Sequence, residues 1–108
     1  MLKYWLWLFL RVMSKVVIPR SVVIAGHRIR IRVVDVRELD GVYGDWSNER
    51  REIRLARGED GMVATLRHEM MHAALDLSGV GWCKRYQEEA IVRCMDEIFW
   101  PAWEKLGL

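Results

Sequence analysis

Apolar and polar positions along this chain repeat with two periods, and the change from one to the other predicts its elements. From Ser21 to Val36 the period is two. His27-Arg28-Ile29-Arg30-Ile31-Arg32-Val33 alternates strictly, which predicts a strand with Ile29, Ile31 and Val33 inward and Arg28, Arg30 and Arg32 outward. Ala25-Gly26-His27 supplies a turn ahead of it. Arg51-Glu52-Ile53-Arg54-Leu55-Ala56 alternates again, with Ile53 and Leu55 inward. Between these runs, Leu39 to Asn48 is rich in turn formers and reads as a loop, with Tyr43 and Trp46 placed to border a cleft.

After Gly61 the pattern becomes helical. Asp60 is the expected N-cap of a helix from about Met62 to Leu77, and Gly79 suits the left-handed position just past its end. A last helix is expected from near Lys84 to about Trp103, with Ile91, Cys94, Met95 and Ile98 as its apolar stripe. Pro101 should kink or break it. These elements predict an α+β fold, a small antiparallel sheet packed on two helices.

Length and composition narrow the picture. One hundred and eight residues suit one domain, here 16–108, behind an apolar N-terminal segment, 1–15. Tyr4 to Leu10 is apolar throughout but far short of the roughly 20 residues of a membrane-spanning helix. Packing on the domain or on a partner is preferred, with an interfacial membrane anchor through Trp5 and Trp7 as the alternative. A net charge of +2 does not by itself announce nucleic acid, and the Arg28, Arg30 and Arg32 row reads as the solvated side of a sheet. Two cysteines, Cys83 and Cys94, make no disulfide framework, which fits a cytoplasmic home. Cys83 reads as a small buried thiol rather than a ligand, and His27 beside Gly26 reads as structural.

The chemistry concentrates in Thr65-Leu66-Arg67-His68-Glu69-Met70-Met71-His72-Ala73-Ala74. Residues four apart on a helix lie one above the other, so His68 and His72 project from one face and can grip one ion. Zinc suits them, because it takes neutral imidazole in a tetrahedral site and keeps a position open for water. Glu69 stands where a carboxylate can take a proton from that water. Chance would produce this spacing in roughly one chain of this length in a few hundred, as polar residues on an ordinary amphipathic helix.

A catalytic zinc normally has three protein ligands. No histidine follows His72, so a carboxylate of the last helix is the natural donor. At about 100° per residue, Glu88 borders the stripe of Ile91 and Met95, whereas Glu89 falls opposite it. Glu88 is therefore the expected third ligand, with Glu89 as the alternative.

From about Val16 to Trp103 the chain resembles the ImmA/IrrE-type zinc metallopeptidases and the short zincin-like proteins that phages carry. The likeness rests on the strand Glu52 to Ala56, on Thr-Leu-x-His-Glu-x-x-His-Ala at Thr65 to Ala73, and on the last helix. In that family the ligand glutamate is followed by apolar residues at fixed spacings and often by a proline. Counting from Glu88 meets Ile91, Cys94, Met95, Ile98, Phe99 and Pro101; counting from Glu89 breaks the register. Ile91-Val92 stands where the family usually has Ala-Asn, and the loop from Leu77 to Gln87 is short. The resemblance implies a minimal zincin fold and a metallopeptidase acting on a specific protein or peptide.

The expected mechanism places zinc on His68, His72 and Glu88, with Glu69 as general base. Tyr43 and Tyr86 are candidates for a second oxyanion donor, and the strand around Ile53 for holding an extended peptide. The alternative is a zincin-fold binding module, or a structural zinc protein, that cleaves nothing. Nucleic-acid binding through Arg28, Arg30, Arg32, Arg51 and Arg54 is not expected.

Overall fold

The fold is seen in a computed structural model that describes residues 17–79 and 88–108, with the side chains of Glu88, Glu89 and Val92 outside the description. The N-terminal segment 1–15, Cys83 and Tyr86 lie outside the described residues. The architecture is α+β. Strands β1 (Ser21–Ile24), β2 (His27–Val34), β3 (Gly44–Ser47) and β4 (Glu52–Ala56) form one sheet, in the order β1-β2-β4-β3. Helix α1 (Met62–Leu77) follows, then α2 (Glu88–Cys94), a π-helical turn (Met95–Phe99) and α3 (Trp100–Glu104).

The first hairpin is dictated locally. Ile24 pairs with His27, leaving a two-residue loop in which Ala25 and Gly26 both have positive φ, as a type I′ turn requires. The alternation of β2 then buries Ile29 and Ile31 while Arg28, Arg30 and Arg32 stay exposed. Val33 is only half-buried. Its neighbour Val34 is buried instead on the opposite face, where Leu39 and Ala56 close a second small cluster. A 3-10 turn (Val36–Leu39) carries Leu39 there. Asp35 opens that turn by accepting from the Arg37 amide at 2.9 Å, and Glu38 accepts from the Asp35 amide.

The sheet is mixed, not antiparallel as expected. β1–β2 and β3–β4 are antiparallel, but β2 and β4 run parallel, with Ile31 beside Ile53. The 3-10 turn carries the chain beyond the position of β4, β3 forms the far edge, and a hairpin then lays β4 between β2 and β3. The expected loop from Leu39 to Asn48 therefore contains a turn of helix and an edge strand.

One face of the sheet packs on α1 and on the last helical stretch. Val22, Ile24, Ile29, Ile31, Ile53 and Leu55 meet Leu66, Met70, Ala73 and Ala74 of α1, together with Cys94, Phe99 and Ala102. The bounds of α1 agree with the helical pattern, but Asp60 does not cap it. Gly61 holds the N-cap position with no side-chain bond, and its carbonyl accepts from the Thr65 amide. At the other end Gly79 is left-handed, as its position predicts.

Nor does Pro101 break the last helix. A proline has no amide hydrogen to give and crowds the preceding turn. The chain widens just before it into the π-helical turn, where the Trp100 amide bonds to the Met95 carbonyl, and helix resumes to Glu104. Phe99 is thereby fully buried, stacked on Trp103 at a centroid separation of 6.4 Å. Among the described residues, no helix is long and apolar enough to cross a membrane.

Candidate metal centre and its cleft

Helical spacing builds the site. The core stripe of α1 is Leu66, Met70, Ala73 and Ala74, so His68 and His72 fall on the far side and are exposed. Their Nε2 atoms lie 3.1 Å apart, with the rings edge to face at 79°. Two nitrogens held at about 2.0–2.1 Å by one tetrahedral ion would be roughly 3.3 Å apart. The pair therefore needs almost no rearrangement to share an ion.

Glu69 sits on the border between the two stripes and is 9 % exposed. Burial pushes its carboxyl above the usual carboxylate range, His72 and His68 pull it back, and Asp45 adds to the rise. No described group hydrogen-bonds to it. A partly desolvated, unengaged carboxylate is suited to accepting a proton.

The third ligand is approached but not placed. The helix that Glu88 and Glu89 open packs against α1, and the Ser78 hydroxyl lies 3.5 Å from the Cys94 sulfur at the end of α1. The carboxylates of Glu88 and Glu89 are outside the described atoms. Among the described residues, no three His, Cys, Asp or Glu side chains converge as a metal group. Two imidazoles on one helix face are donor chemistry that fits zinc.

Two adjoining hollows flank Glu69. The larger, about 500 Å³, lies on the His72 side between Gly44, Asp45, Trp46, Leu75 and Asp76. The other, about 390 Å³, lies on the His68 side against Tyr43, Ala64 and Thr65, and Val42 and Gly44 border both. Together they run along β3, which changes the strand expected to face the site. β4, with Ile53, is interior to the sheet and fully engaged by β2 and β3. β1 and β3 are the edge strands, and of the two it is β3 that borders the hollows, without a further strand partner among the described residues.

The register shows what that edge offers. The Ala56 amide bonds to the Tyr43 carbonyl, so Tyr43, Asp45 and Ser47 direct their backbone groups toward β4. Gly44 and Trp46 direct theirs outward, beside Glu69 and His72. Gly44 is required for this closeness. A Cβ there would stand 2.5 Å from the Thr65 methyl and 3.1 Å from the Arg54 carbonyl oxygen.

Two side-chain pairs fix the edge strand. The Trp46 indole donates to Asp76 Oδ2 at 2.8 Å, tying β3 to α1. Arg54 Nε donates to Asp45 Oδ1 at 2.9 Å, a two-point pair that holds the Arg54 guanidinium above its ordinary pKa. No sequence motif singles out Asp76, although it lies four residues past His72 on the same helical row. Tyr43, an oxyanion candidate, is 60 % exposed at the rim of the His68 hollow.

The arginine row has internal partners. Arg30 and Arg32 reach Glu52 at 3.3 and 3.1 Å, and that carboxylate is 3 % exposed. His27 is exposed at the hairpin and lines neither hollow. No family model, curated protein or solved structure matches the chain.

Proposed function

We propose that this chain is a zinc-dependent metallopeptidase of the minimal zincin type, cutting a protein or peptide that lies along β3. The observation that carries the reading is the 3.1 Å approach of the His68 and His72 Nε2 atoms beside the buried Glu69, at a cleft bordered by a strand edge that no described strand pairs. The ImmA/IrrE-type likeness of the motif and of the last helix supports the same assignment. His68 and His72 would hold the ion, and Glu88 would complete the set. Zinc held there would supply a Lewis acid and would bring the pKa of a bound water down toward neutrality.

The protein's own groups do the rest. Glu69 accepts the proton of the attacking water and returns it to the leaving amine. The outward amides and carbonyls of Gly44 and Trp46 align an extended peptide by strand addition, fixing its carbonyl over the site. The Tyr43 hydroxyl is the described candidate for a second donor to the tetrahedral oxyanion.

A second reading has one observation in its favour. A 3.1 Å separation also suits a direct N–H···N bond between two neutral imidazoles, which a binding module without metal would keep. Metal content and hydrolysis separate the two. The purified protein should carry about one zinc, measured by mass spectrometry, and Glu88→Ala should lose it while Glu89→Ala keeps it. Glu69→Gln should retain zinc yet cut a peptide library about 10²- to 10⁴-fold more slowly. A wild-type protein that takes up no zinc sinks the proposal, and undiminished hydrolysis by Glu69→Gln removes Glu69 from its role.

A further inference from the structure

The two hollows beside Glu69 differ in chemistry. On the His68 side the walls are Val42, Tyr43, Ala64 and Thr65, with no carboxylate except Glu69. On the His72 side two further acidic residues, Asp45 and Asp76, are among the lining. Their charges are not equally free. Asp45 is bonded at two points to the Arg54 guanidinium. Asp76 is bonded through Oδ2 to a neutral donor, the Trp46 indole, and no described cation pairs with it. The hollow therefore contains a carboxylate held in place by a group that does not neutralise it.

Its other walls suit a long cationic side chain. Leu75 and the Trp46 ring offer apolar surface to an alkyl stem, and an indole face attracts an ammonium or guanidinium. A volume of about 500 Å³ admits such a side chain with its water. The outward backbone groups of Gly44 and Trp46 border the same space, so a peptide added to β3 would send alternate side chains to this face.

We propose that the His72-side hollow is a subsite for a lysine or arginine side chain of the bound peptide, and that Asp76 sets the preference. The inference rests on the peptidase reading and names its substrate class: extended peptides with a basic residue at one fixed position from the scissile bond. Trp46 acts as a positioning residue, since its indole holds Asp76 toward the hollow.

The test uses the full chain as the zinc-loaded Glu69→Gln protein, so that peptides bind without being cut. Fluorescein-labelled alanine hexapeptides carry one lysine walked through the positions, and a matched set carries norleucine. Anisotropy should find one register at which the lysine peptide binds at least tenfold tighter than its norleucine partner. Adding Asp76→Asn should erase that difference and leave norleucine binding unchanged, because the amide oxygen still accepts from Trp46. Adding Asp76→Lys should turn the preference toward a glutamate peptide at the same register.

Equal binding of lysine and norleucine at every register overturns the subsite, as does no binding by any peptide or a lysine preference that survives both Asp76 variants. If zinc is bound and peptides bind without basic preference, the peptidase reading stands and this inference alone falls. If the wild-type chain takes up no zinc, the reading falls and takes the subsite with it.

Discussion

Trp46 shows how much one side chain can organise here. It belongs to the edge strand, yet its indole bonds to Asp76 near the end of α1 and its ring packs against the core. Replacing it with phenylalanine keeps most of the apolar surface and removes the donor. Water can reach the half-buried Asp76, so the loss should be modest, about 1–2 kcal/mol. Urea denaturation should show a lower midpoint at an unchanged slope. A midpoint equal to wild type would mean that the bond adds nothing to the fold.

Glu69 makes the complementary case at the same scale. Its identity and its place after His68 are plain in the sequence, but its burial is not. That follows from lying one residue off the histidine row and one residue before the buried Met70, where the helix turns from cleft to core. A residue at such a border can face either way until the sheet packs against the helix.

Among the elements, β3 was the least legible. Gly44-Asp45-Trp46-Ser47 has the composition of a turn and only four residues, too few for a period to show. It is extended because β4 offers it a ladder and because Gly44 lets the backbone come up against Thr65. The Gly44→Ala substitution tests this. Thr65 has only two favoured rotamers in a helix and the Arg54 carbonyl at 3.1 Å cannot turn away, so the edge strand must shift. We expect a loss of about 1–3 kcal/mol. Thr65→Ser removes the methyl and should recover much of it, which a double-mutant cycle measures as coupling of at least about 0.5 kcal/mol. Additive effects of the two substitutions would show that the close approach imposes no constraint.

The last helical stretch was legible in its stripe and not in its geometry. Cys94, Met95 and Ile98 do turn toward the core, as their spacing requires. The π-helical turn ahead of Pro101 is the unforeseen part. A proline predicts trouble for the preceding turn, but whether the chain breaks or widens depends on what is gained by continuing. Here Phe99 and Ala102 find places in the core, and the helix continues.

At the scale of the whole molecule, metal and fold should be linked. A ligand that binds only the folded chain stabilises it by about 2.7 kcal/mol at a hundredfold excess over its dissociation constant. For a domain of this size, calorimetry should show that as a rise of roughly 10–20 °C in the midpoint on adding zinc. His72 is exposed and outside the core, so His72→Ala should abolish the rise and leave the metal-free midpoint within a few degrees of wild type. A zinc-dependent rise of the same size in that variant would place the ion elsewhere.

Local order was the part already settled by the chain's own neighbours. The two-residue alternation of β2 and β4, the bounds of α1, the left-handed Gly79 and the placing of both imidazoles on one helix face depend on residues within a few positions of each other. Partnership was decided only in three dimensions. That β2 and β4 lie parallel, that β3 rather than β4 is an edge strand, and that Asp76 meets Trp46 all join residues far apart in the chain. The reason is that a period reports which face of an element is apolar, while the element it will meet is chosen by packing and by which backbone groups still lack a partner.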